Sequence, residues 1–154
     1  MEGIDEDVQA VEHAQEQRDI EELGRCVEAL QTLSHLFKRV ASEEEIVAAE
    51  GRRCILAVSG LKYTKQAYYF EVSGASIKVV PPYADYNTLV IAPLESVLRV
   101  MKGVAGGNKW AFSEEVARGK TTLKGEHSLH DTYAFTEVFK RLASLAARYG
   151  PIEI

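Results

Sequence analysis

Apolar residues recur at every third or fourth position from Ile20 onward, which is the spacing of one face of an α-helix. This stripe consists of Ile20, Leu23, Val27, Leu30, Leu33, Phe37 and Val40. Leu36 makes it wider than the seam of a coiled coil, so the pattern predicts a long helix that packs on a sheet. Upstream, Val8, Val11 and Ala14 form a weaker stripe among acidic residues. Three alternatives stay open for that part of the chain: it projects, it frays or it contacts another subunit.

A second, shorter helix is predicted over about residues 43–50. Ser42 followed by Glu45 is the capping-box pattern, in which the hydroxyl and the carboxylate each accept an otherwise unpaired amide at the start of a helix. Gly51 suits the end of such a helix. Beyond it the apolar pattern changes from the period of a helix to that of a strand.

Four strands are predicted from the apolar runs that follow and from their turns. They cover residues 54–58, 67–72, 76–80 and 88–92. The first three follow one another as a meander, with a turn at Ser73 and Gly74. Pro81 and Pro82 end the third strand because proline donates no amide hydrogen to a sheet.

The last third of the chain contains helices and one more strand. The fourth strand leads into a helix that begins at Pro93 and is expected to end at Gly103. One or two helical turns around residues 113–118 precede a short strand over residues 120–124. A terminal helix, which stops at Gly150, has the clearest apolar face of the chain. That face consists of Phe135, Val138, Phe139, Leu142, Leu145, Ala146 and Tyr149.

Charge divides the chain unevenly. The net charge is -5 at pH 7, yet residues 1–50 hold fourteen acidic and four basic side chains, whereas residues 51–154 hold nine acidic and fourteen basic ones. A basic surface this dilute can attract phosphate, coenzyme A or lipid headgroups, but it is not the clustered footprint of a nucleic-acid-binding protein. The composition is that of one globular domain. We therefore divide the chain into an acidic N-terminal extension, residues 1–19, and a single domain, residues 20–154.

Cys26 and Cys54 have neither the spacing of a metal site nor that of a redox pair, and we expect both to be buried, reduced thiols. The N-terminus lacks the basic and apolar regions of a signal peptide. No apolar run approaches the roughly twenty residues that span a bilayer. These features predict a cytoplasmic protein with no integral membrane contact.

Residues 126–131 form the one local cluster of metal-capable side chains, in which His127 and His130 could share a cation. Capping of the terminal helix by Ser128 together with Asp131 explains the same residues without a metal. No nucleophile elbow, phosphate-binding loop or paired carboxylate-histidine motif accompanies the cluster. We therefore expect no enzyme, no catalytic residue, no metal and no cofactor. Catalysis by this cluster is the least favoured alternative.

The order of the elements and two segments carry a likeness to a known family. Residues 87–103 read NTLVIAPLESVLRVMKG, a strand that leads into a helix, and residues 117–126 read ARGKTTLKGE. In these features the chain resembles the sterol carrier protein type 2 superfamily over about residues 20–149. There are two departures from the family's pattern. Ala92-Pro93 stands where the middle helix usually starts with Ser or Asp, and Glu126 replaces the common Asp.

The resemblance implies an α+β fold, with a mainly antiparallel five-stranded sheet, helices packed on one face and a long N-terminal helix. It also implies an apolar tunnel that holds a lipid, a fatty acid or an acyl-CoA. Each methylene removed from water contributes about 0.8 kcal/mol, so an acyl chain needs no strong polar anchor. Basic residues near the mouth would meet an anionic head. The predicted ligand-binding residues are Phe70, Ile91, Leu98, Met101, Phe135, Phe139 and Leu142.

A different class of function stays open beside the carrier hypothesis. The chain could be a protein-interaction or oligomerisation module with a filled core and no small-molecule ligand. In that case a homo-oligomer would form through the N-terminal helix or an exposed sheet edge. Periodicity identifies residues that face the interior, but it does not distinguish those that fill a core from those that line a cavity.

Overall fold

The computed structural model describes residues 2–39, 41–125 and 128–149, and the side chains of residues 6–39, 41–125 and 139–149. The helices are α1 (Glu2–Ser34), α2 (Glu43–Ala49), α3 (Leu94–Ala105), α4 (Ala111–Ala117) and α5 (Ser128–Tyr149). The strands are β1 (Arg53–Ser59), β2 (Gln66–Ser73), β3 (Ser76–Val79), β4 (Thr88–Pro93) and β5 (Thr122–Gly125). The predicted α+β class, the five strands and the long N-terminal helix are confirmed.

The strands form one sheet in the order β3-β2-β1-β4-β5. At its centre β1 and β4 are parallel, with Cys54 opposite Thr88, whereas the other described neighbours pair antiparallel. The sheet is therefore mixed, and the expectation of a mainly antiparallel sheet is wrong. The reason is the connection over residues 80–87, which returns across the sheet and starts β4 beside β1 in the same direction, instead of extending the meander.

Tyr83 holds this connection against the sheet. Its hydroxyl donates toward the carbonyl oxygens of Phe70, at 2.6 Å, and Cys54, at 3.0 Å, which are opposite one another in β2 and β1. Its ring packs edge-on against Tyr69 at 5.2 Å, and the Arg53 guanidinium lies 4.6 Å from the ring centroid. Side chains of neighbouring strand residues point to opposite faces, so Tyr69 and Phe70 do as well. Because Phe70 packs against the core beneath the helices, the connection crosses the other face of the sheet.

The helices α1, α3 and α5 cover a single face of the sheet. α1 packs against α3 and α5, and both α3 and α5 contact β4. Along β4, Thr88, Val90 and Ala92 are buried, whereas the intervening Leu89 and Ile91 are only half-buried. This alternation is the two-residue period of a strand whose two faces have different surroundings. It agrees with the expectation that the helices pack on one face.

The acidic N-terminal segment and the buried segment that follows it form one continuous helix, α1. The Glu16 carboxylate accepts hydrogen bonds from the backbone amides of Lys62, at 2.7 Å, and Tyr63, at 3.0 Å. Glu12 accepts a hydrogen bond from the Tyr63 hydroxyl at 3.0 Å. That bond, followed by the contribution of Lys62, holds the pKa of the Glu12 carboxyl below its usual value. These contacts fasten the acidic segment to the connection between β1 and β2.

Ser42 caps α2, as the sequence predicts. Its Oγ accepts a hydrogen bond from the backbone amide of Glu45 at 3.2 Å. The Glu45 carboxylate also accepts two hydrogen bonds from the Arg141 guanidinium, at 2.8 and 3.0 Å. Such bidentate pairs have a defined geometry. The cap and the ion pair together fix the short helix α2 against α5.

The predicted end of α3 at Gly103 is wrong, because the helix continues to Ala105 and is capped by Gly106. A Cβ atom built on Gly103 would lie 2.7 Å from the Cβ of Ala111 in α4. Carbon atoms in contact prefer separations of about 3.5–4.0 Å, so glycine permits the close approach of these two helices. A sequence pattern does not separate this role from that of a glycine that ends a helix.

Gly103 and Gly24 offer a matched pair of helical glycines for a test of this packing. Gly103→Ala should lower the free energy of unfolding by about 1–3 kcal/mol because the added methyl group overpacks the contact between α3 and α4. Gly24→Ala should raise it by about 0.5–1 kcal/mol through helix propensity, since the nearest atom to its new methyl group would be the Tyr68 hydroxyl at 3.9 Å. Urea denaturation of both variants measures the difference. Equal effects at the two positions would contradict the close contact.

Tyr83 generates a prediction about stability at high pH. Tyr83→Phe should lower the free energy of unfolding by about 0.5–1.5 kcal/mol near neutral pH through the lost hydrogen bond. Burial raises the pKa of Tyr83 to about 12 in the folded protein, above the value of about 10 in an unfolded chain. The protonated Tyr83 hydroxyl therefore makes its full contribution to the free energy of unfolding below about pH 10, and this contribution falls as the pH rises toward about 12.

Phenylalanine has no hydroxyl proton, so the difference in the free energy of unfolding between Tyr83→Phe and the parent protein should become smaller above about pH 10. Chemical denaturation at several pH values tests this expectation. Tyr86→Phe, at an exposed tyrosine of the same connection, serves as the control. A difference between parent and Tyr83→Phe that is independent of pH would refute the assignment.

Candidate apolar ligand-binding site

A cavity of about 120 Å³ lies between the covered face of the sheet and the helices, and nearly all of its wall consists of apolar atoms. The strands contribute, among others, Cys54, Leu56, Phe70, Val72, Val90 and Ala92. The helices contribute, among others, Val97, Val100, Met101, Phe112, Phe139 and Leu142. The interior of the protein is thus not completely filled by its own side chains.

The spacing of side chains along each strand and helix determines which residues form the cavity wall. Alternate residues of a strand face one side, which directs Leu56 of β1 and Val90 and Ala92 of β4 toward the helices. Residues three or four positions apart on a helix share a face, which directs Val97 and Val100 toward the sheet. The short side chain of Ala92 leaves room that a larger residue would occupy.

Four of the predicted ligand-binding residues lie on the cavity wall. They are Phe70, Met101, Phe139 and Leu142. The ring of Phe139 stacks on that of Phe112 with a centroid distance of 5.0 Å, so a second aromatic residue, which was not predicted, belongs to the same wall. The side chain of Phe135 lies outside the described residues.

Ile91 and Leu98 are not among the residues that line the cavity. Ile91 lies between the buried Val90 and Ala92 and therefore faces the other side of the sheet. Leu98 is half-buried and packs against the edge of the core. The sequence does not reveal which face of β4 is covered, because its residues are apolar on both faces. The interior positions Val90 and Ala92 were missed for this reason.

The polar residues of the wall lie toward its two ends. Arg53 and Asn87 stand where β1 and β4 begin, whereas Ser96 and Thr121 stand near the end of β4. A strand rises about 3.3 Å per residue, so the two ends of β4 are roughly 16 Å apart. Ser96 is 1% exposed, and its Oγ has no hydrogen-bond partner within the described part of the chain. A bound molecule would meet different polar groups at each end.

A second, open hollow adjoins the first at the end where β1 and β4 begin. Arg53 and Asn87 line both hollows, and Glu71, Asp85 and Lys124 are also part of the open one. The Arg53 guanidinium donates to the Glu71 carboxylate at 2.9 Å, and the backbone amide of Arg53 donates to the Asn87 side-chain oxygen at 2.8 Å. Cys54, Phe70 and Leu123 pack against the core. Their strand neighbours Arg53, Glu71 and Lys124 therefore point to the opposite face of the sheet. The charged hollow thus lies on that face and meets the apolar cavity only at the end where β1 and β4 begin, at Arg53 and Asn87.

Cys26 is buried and Cys54 is half-buried, and both have the properties of structural thiols. Cys54 lines the cavity, and burial strongly raises the pKa of its thiol. Burial, followed by the charge of Glu22, raises the pKa of the Cys26 thiol. Because the thiolate is the reactive form, neither group is suited to act as a nucleophile near neutral pH.

Residues 6–39, 41–125 and 139–149 contain no group of three or more His, Cys, Asp or Glu side chains that could hold a metal ion. The side chains of His127 and His130, the candidate metal ligands, lie outside these ranges. No helix in the described part of the chain has both the length and the hydropathy to cross a membrane.

No protein-family model matches the chain, and no curated protein matches it significantly. Solved structures that are similar to it include a UbiJ-SCP2 ubiquinone synthesis protein, with 15% sequence identity over 79% of this chain and 90% of the other, and a TM-score of 0.49. Another is the solution structure of a conserved hypothetical protein from Thermus thermophilus, described as possibly a sterol carrier protein. It shares 19% identity over 80% of this chain and 89% of its own, with a TM-score of 0.46.

At these identities the likeness concerns the fold alone.

Proposed function

We propose that this protein binds the apolar part of a small lipid-like molecule between its sheet and its helices and carries that molecule without changing it. The observation that supports this function is the cavity of about 120 Å³ with its apolar wall. Apolar cavities in proteins are normally few and small, because side chains in cores interdigitate closely. A hollow of this size in a core of this size is therefore a candidate ligand site.

The volume limits how tightly a molecule can bind if the cavity keeps its shape. An apolar cavity of about 150 Å³ binds benzene, so the present one has room for about five carbon atoms. Five methylenes at about 0.8 kcal/mol each contribute about 4 kcal/mol, which corresponds to a Kd near 1 mM. Tighter binding requires either that the core opens to admit a longer chain or that polar groups of the ligand are recognised.

The end of the sheet where β1 and β4 begin suits the polar end of such a ligand, because Arg53 and Asn87 there line both the cavity and the open hollow. Lys124, which is exposed, and Arg53 provide positive charge there, while Glu71 and Asp85 provide negative charge. The proposed ligand is therefore amphipathic: its apolar part occupies the cavity, and its head lies near Arg53 and Asn87. This arrangement fits the lipid, fatty acid or acyl-CoA expected from the sequence.

A chain-length series tests the proposal. For saturated fatty acids from about four to about sixteen carbons, affinity should rise about fourfold per methylene, up to the length at which the cavity is filled. Isothermal titration or displacement of a fluorescent fatty acid measures the series. A plateau near five carbons would indicate a short-chain ligand, and a continued rise would indicate that the core opens.

Two alanines on opposite faces of the sheet provide the matched variants. Ala92→Leu fills part of the cavity and should weaken fatty-acid binding. Affinity should also stop rising at a shorter chain length than in the parent protein. Ala57→Leu, on β1 opposite Ile91, places the same side chain on the other face and should leave binding unchanged. Absence of any dependence on chain length, or equal effects of the two variants, would reject the cavity as the binding site.

A second candidate function is self-association through the N-terminal helix. Val8 and Val11 lie three residues apart on α1 and are 50% and 66% exposed. Their spacing places them on one helix face, which is the arrangement of a weak helix–helix contact. Residues 12 and 16 of the same helix are bonded to the β1–β2 connection, so the first turns are the part that would reach a second copy.

The double variant Val8→Gln and Val11→Gln tests this role without disturbing the bonds of Glu12 and Glu16. If the helix joins subunits, the mass measured by sedimentation equilibrium should fall to that of the monomer, 17.1 kDa. An unchanged mass would show that Val8 and Val11 do not hold subunits together. Val47→Gln, at a valine of α2 that is 70% exposed, is the control.

A further inference from the structure

Thr88, Ser96 and Thr121 carry the hydroxyl groups of the cavity wall, and the Ser96 hydroxyl differs from the other two in being buried without a partner among the described residues. Ser96 lies in the first turn of α3, is 1% exposed and lines the cavity. Its Oγ has no hydrogen-bond partner within the described part of the chain. Serine within a helix commonly bonds the carbonyl three or four residues earlier, and a buried polar group without a partner destabilises the folded state. Fold stability therefore does not explain this serine.

Ser34 is a buried serine with a structural role in the same protein and serves as a comparison for Ser96. It is also 1% exposed and also lies on a helix, α1. Its Oγ donates to the Gln31 carbonyl at 2.7 Å and accepts from the backbone amide of Ile77 at 2.9 Å, so that it joins α1 to β3. Both hydrogen-bonding capacities of Ser34 are used, whereas Ser96 uses neither within the described part of the chain.

The surroundings of Ser96 restrict the chemistry of a partner. The charged residues of the described wall, Arg52 and Arg53, lie near the other end of β4. Arg99, one turn along α3, is 3.6 Å from the Glu115 carboxylate and 3.9 Å from that of Glu95. Burial of an ionised group beside Ser96 would therefore lack a counter-charge, which is strongly unfavourable. A neutral oxygen fits the position, because a hydroxyl both donates and accepts.

We infer that Ser96 is the polar anchor of the cavity and hydrogen-bonds a neutral oxygen, a hydroxyl or a carbonyl, carried by the buried part of the ligand. This inference rests on the proposed function and narrows it. The ligand is not a plain hydrocarbon chain below its head, because it has an oxygen at the end that enters deepest, far from Arg53. Ser96 then determines specificity, while the apolar wall supplies most of the affinity.

1-Butanol and pentane test the inference, because each has five non-hydrogen atoms, which fits the volume of the cavity, and they differ in one hydroxyl group. Both should bind the parent protein. Ser96→Ala should weaken the binding of 1-butanol relative to that of pentane about fivefold, the value of one ordinary hydrogen bond. The ratio of the four affinities, measured by titration calorimetry or ligand-observed NMR, cancels the difference in hydration between the two probes. A ratio within about twofold of unity would overturn the role of Ser96.

Thermal unfolding without ligand provides an independent readout. Ser96→Ala should leave Tm unchanged or raise it, because it removes an unpaired buried hydroxyl. Ser34→Ala should lower Tm, because it leaves the Ile77 amide without its acceptor. A similar fall for both variants would show that Ser96 has a structural partner, and the inference would be wrong. If neither 1-butanol nor pentane binds the parent protein, the cavity itself is rejected and the proposed function fails, whereas binding of both with a ratio near unity rejects the anchor alone.

Discussion

Burial of one face of a five-stranded sheet beneath three helices is the constraint on which the rest of the structure depends. The sheet provides alternate side chains, and α1, α3 and α5 provide residues spaced three or four apart, so both layers present apolar surface to the same space. The two layers meet without filling that space completely. The unfilled part, beside Ala92 and between Phe70, Met101 and Phe139, is the cavity.

In this arrangement the cavity has different polar residues at the two ends of β4. At one end lie Arg53 and Asn87, which line both the cavity and the open polar hollow, and at the other end lies Ser96, in the first turn of α3. An apolar cavity with dissimilar polar ends favours one orientation of an amphipathic molecule over the reverse.

The other face of the sheet is organised by the crossing connection over residues 80–87. Tyr83 binds two carbonyl oxygens of adjacent strands and packs against Tyr69. This connection makes the parallel pairing of β1 and β4 possible, because it carries the chain across β2 and β1 to the end of the sheet at which β1 begins. A meander without it would place β4 beside β3 and leave α3 without its present position over the centre of the sheet.

Much of the fold was predictable from local pattern. The cap at Ser42, the buried stripe of α1 and the strand periods each depend on residues close together in the sequence, and the structure contains each of them. The described bonds of the Glu45 carboxylate go to Arg141 and the Ser42 hydroxyl, so the second bond of the predicted capping box is not among them. The helix α1 ends at Ser34, before the last two positions of the predicted stripe. Phe70, Met101, Phe139 and Leu142, which are among the residues predicted to bind a ligand, line the cavity because their elements bury the faces that carry them. Ile91 faces the other side of the sheet. β4 is apolar on both faces, so its pattern holds no information about which face is covered.

Side-chain spacing along single segments indicates which of them are helices or strands and which residues prefer the interior, so these properties can be predicted from local sequence. The parallel pairing of β1 with β4, the contact between helices at Gly103, the cavity and the unpaired hydroxyl of Ser96 became visible only in the packed structure. Each of these depends on distances between atoms of different segments, and such distances are set by how the layers pack.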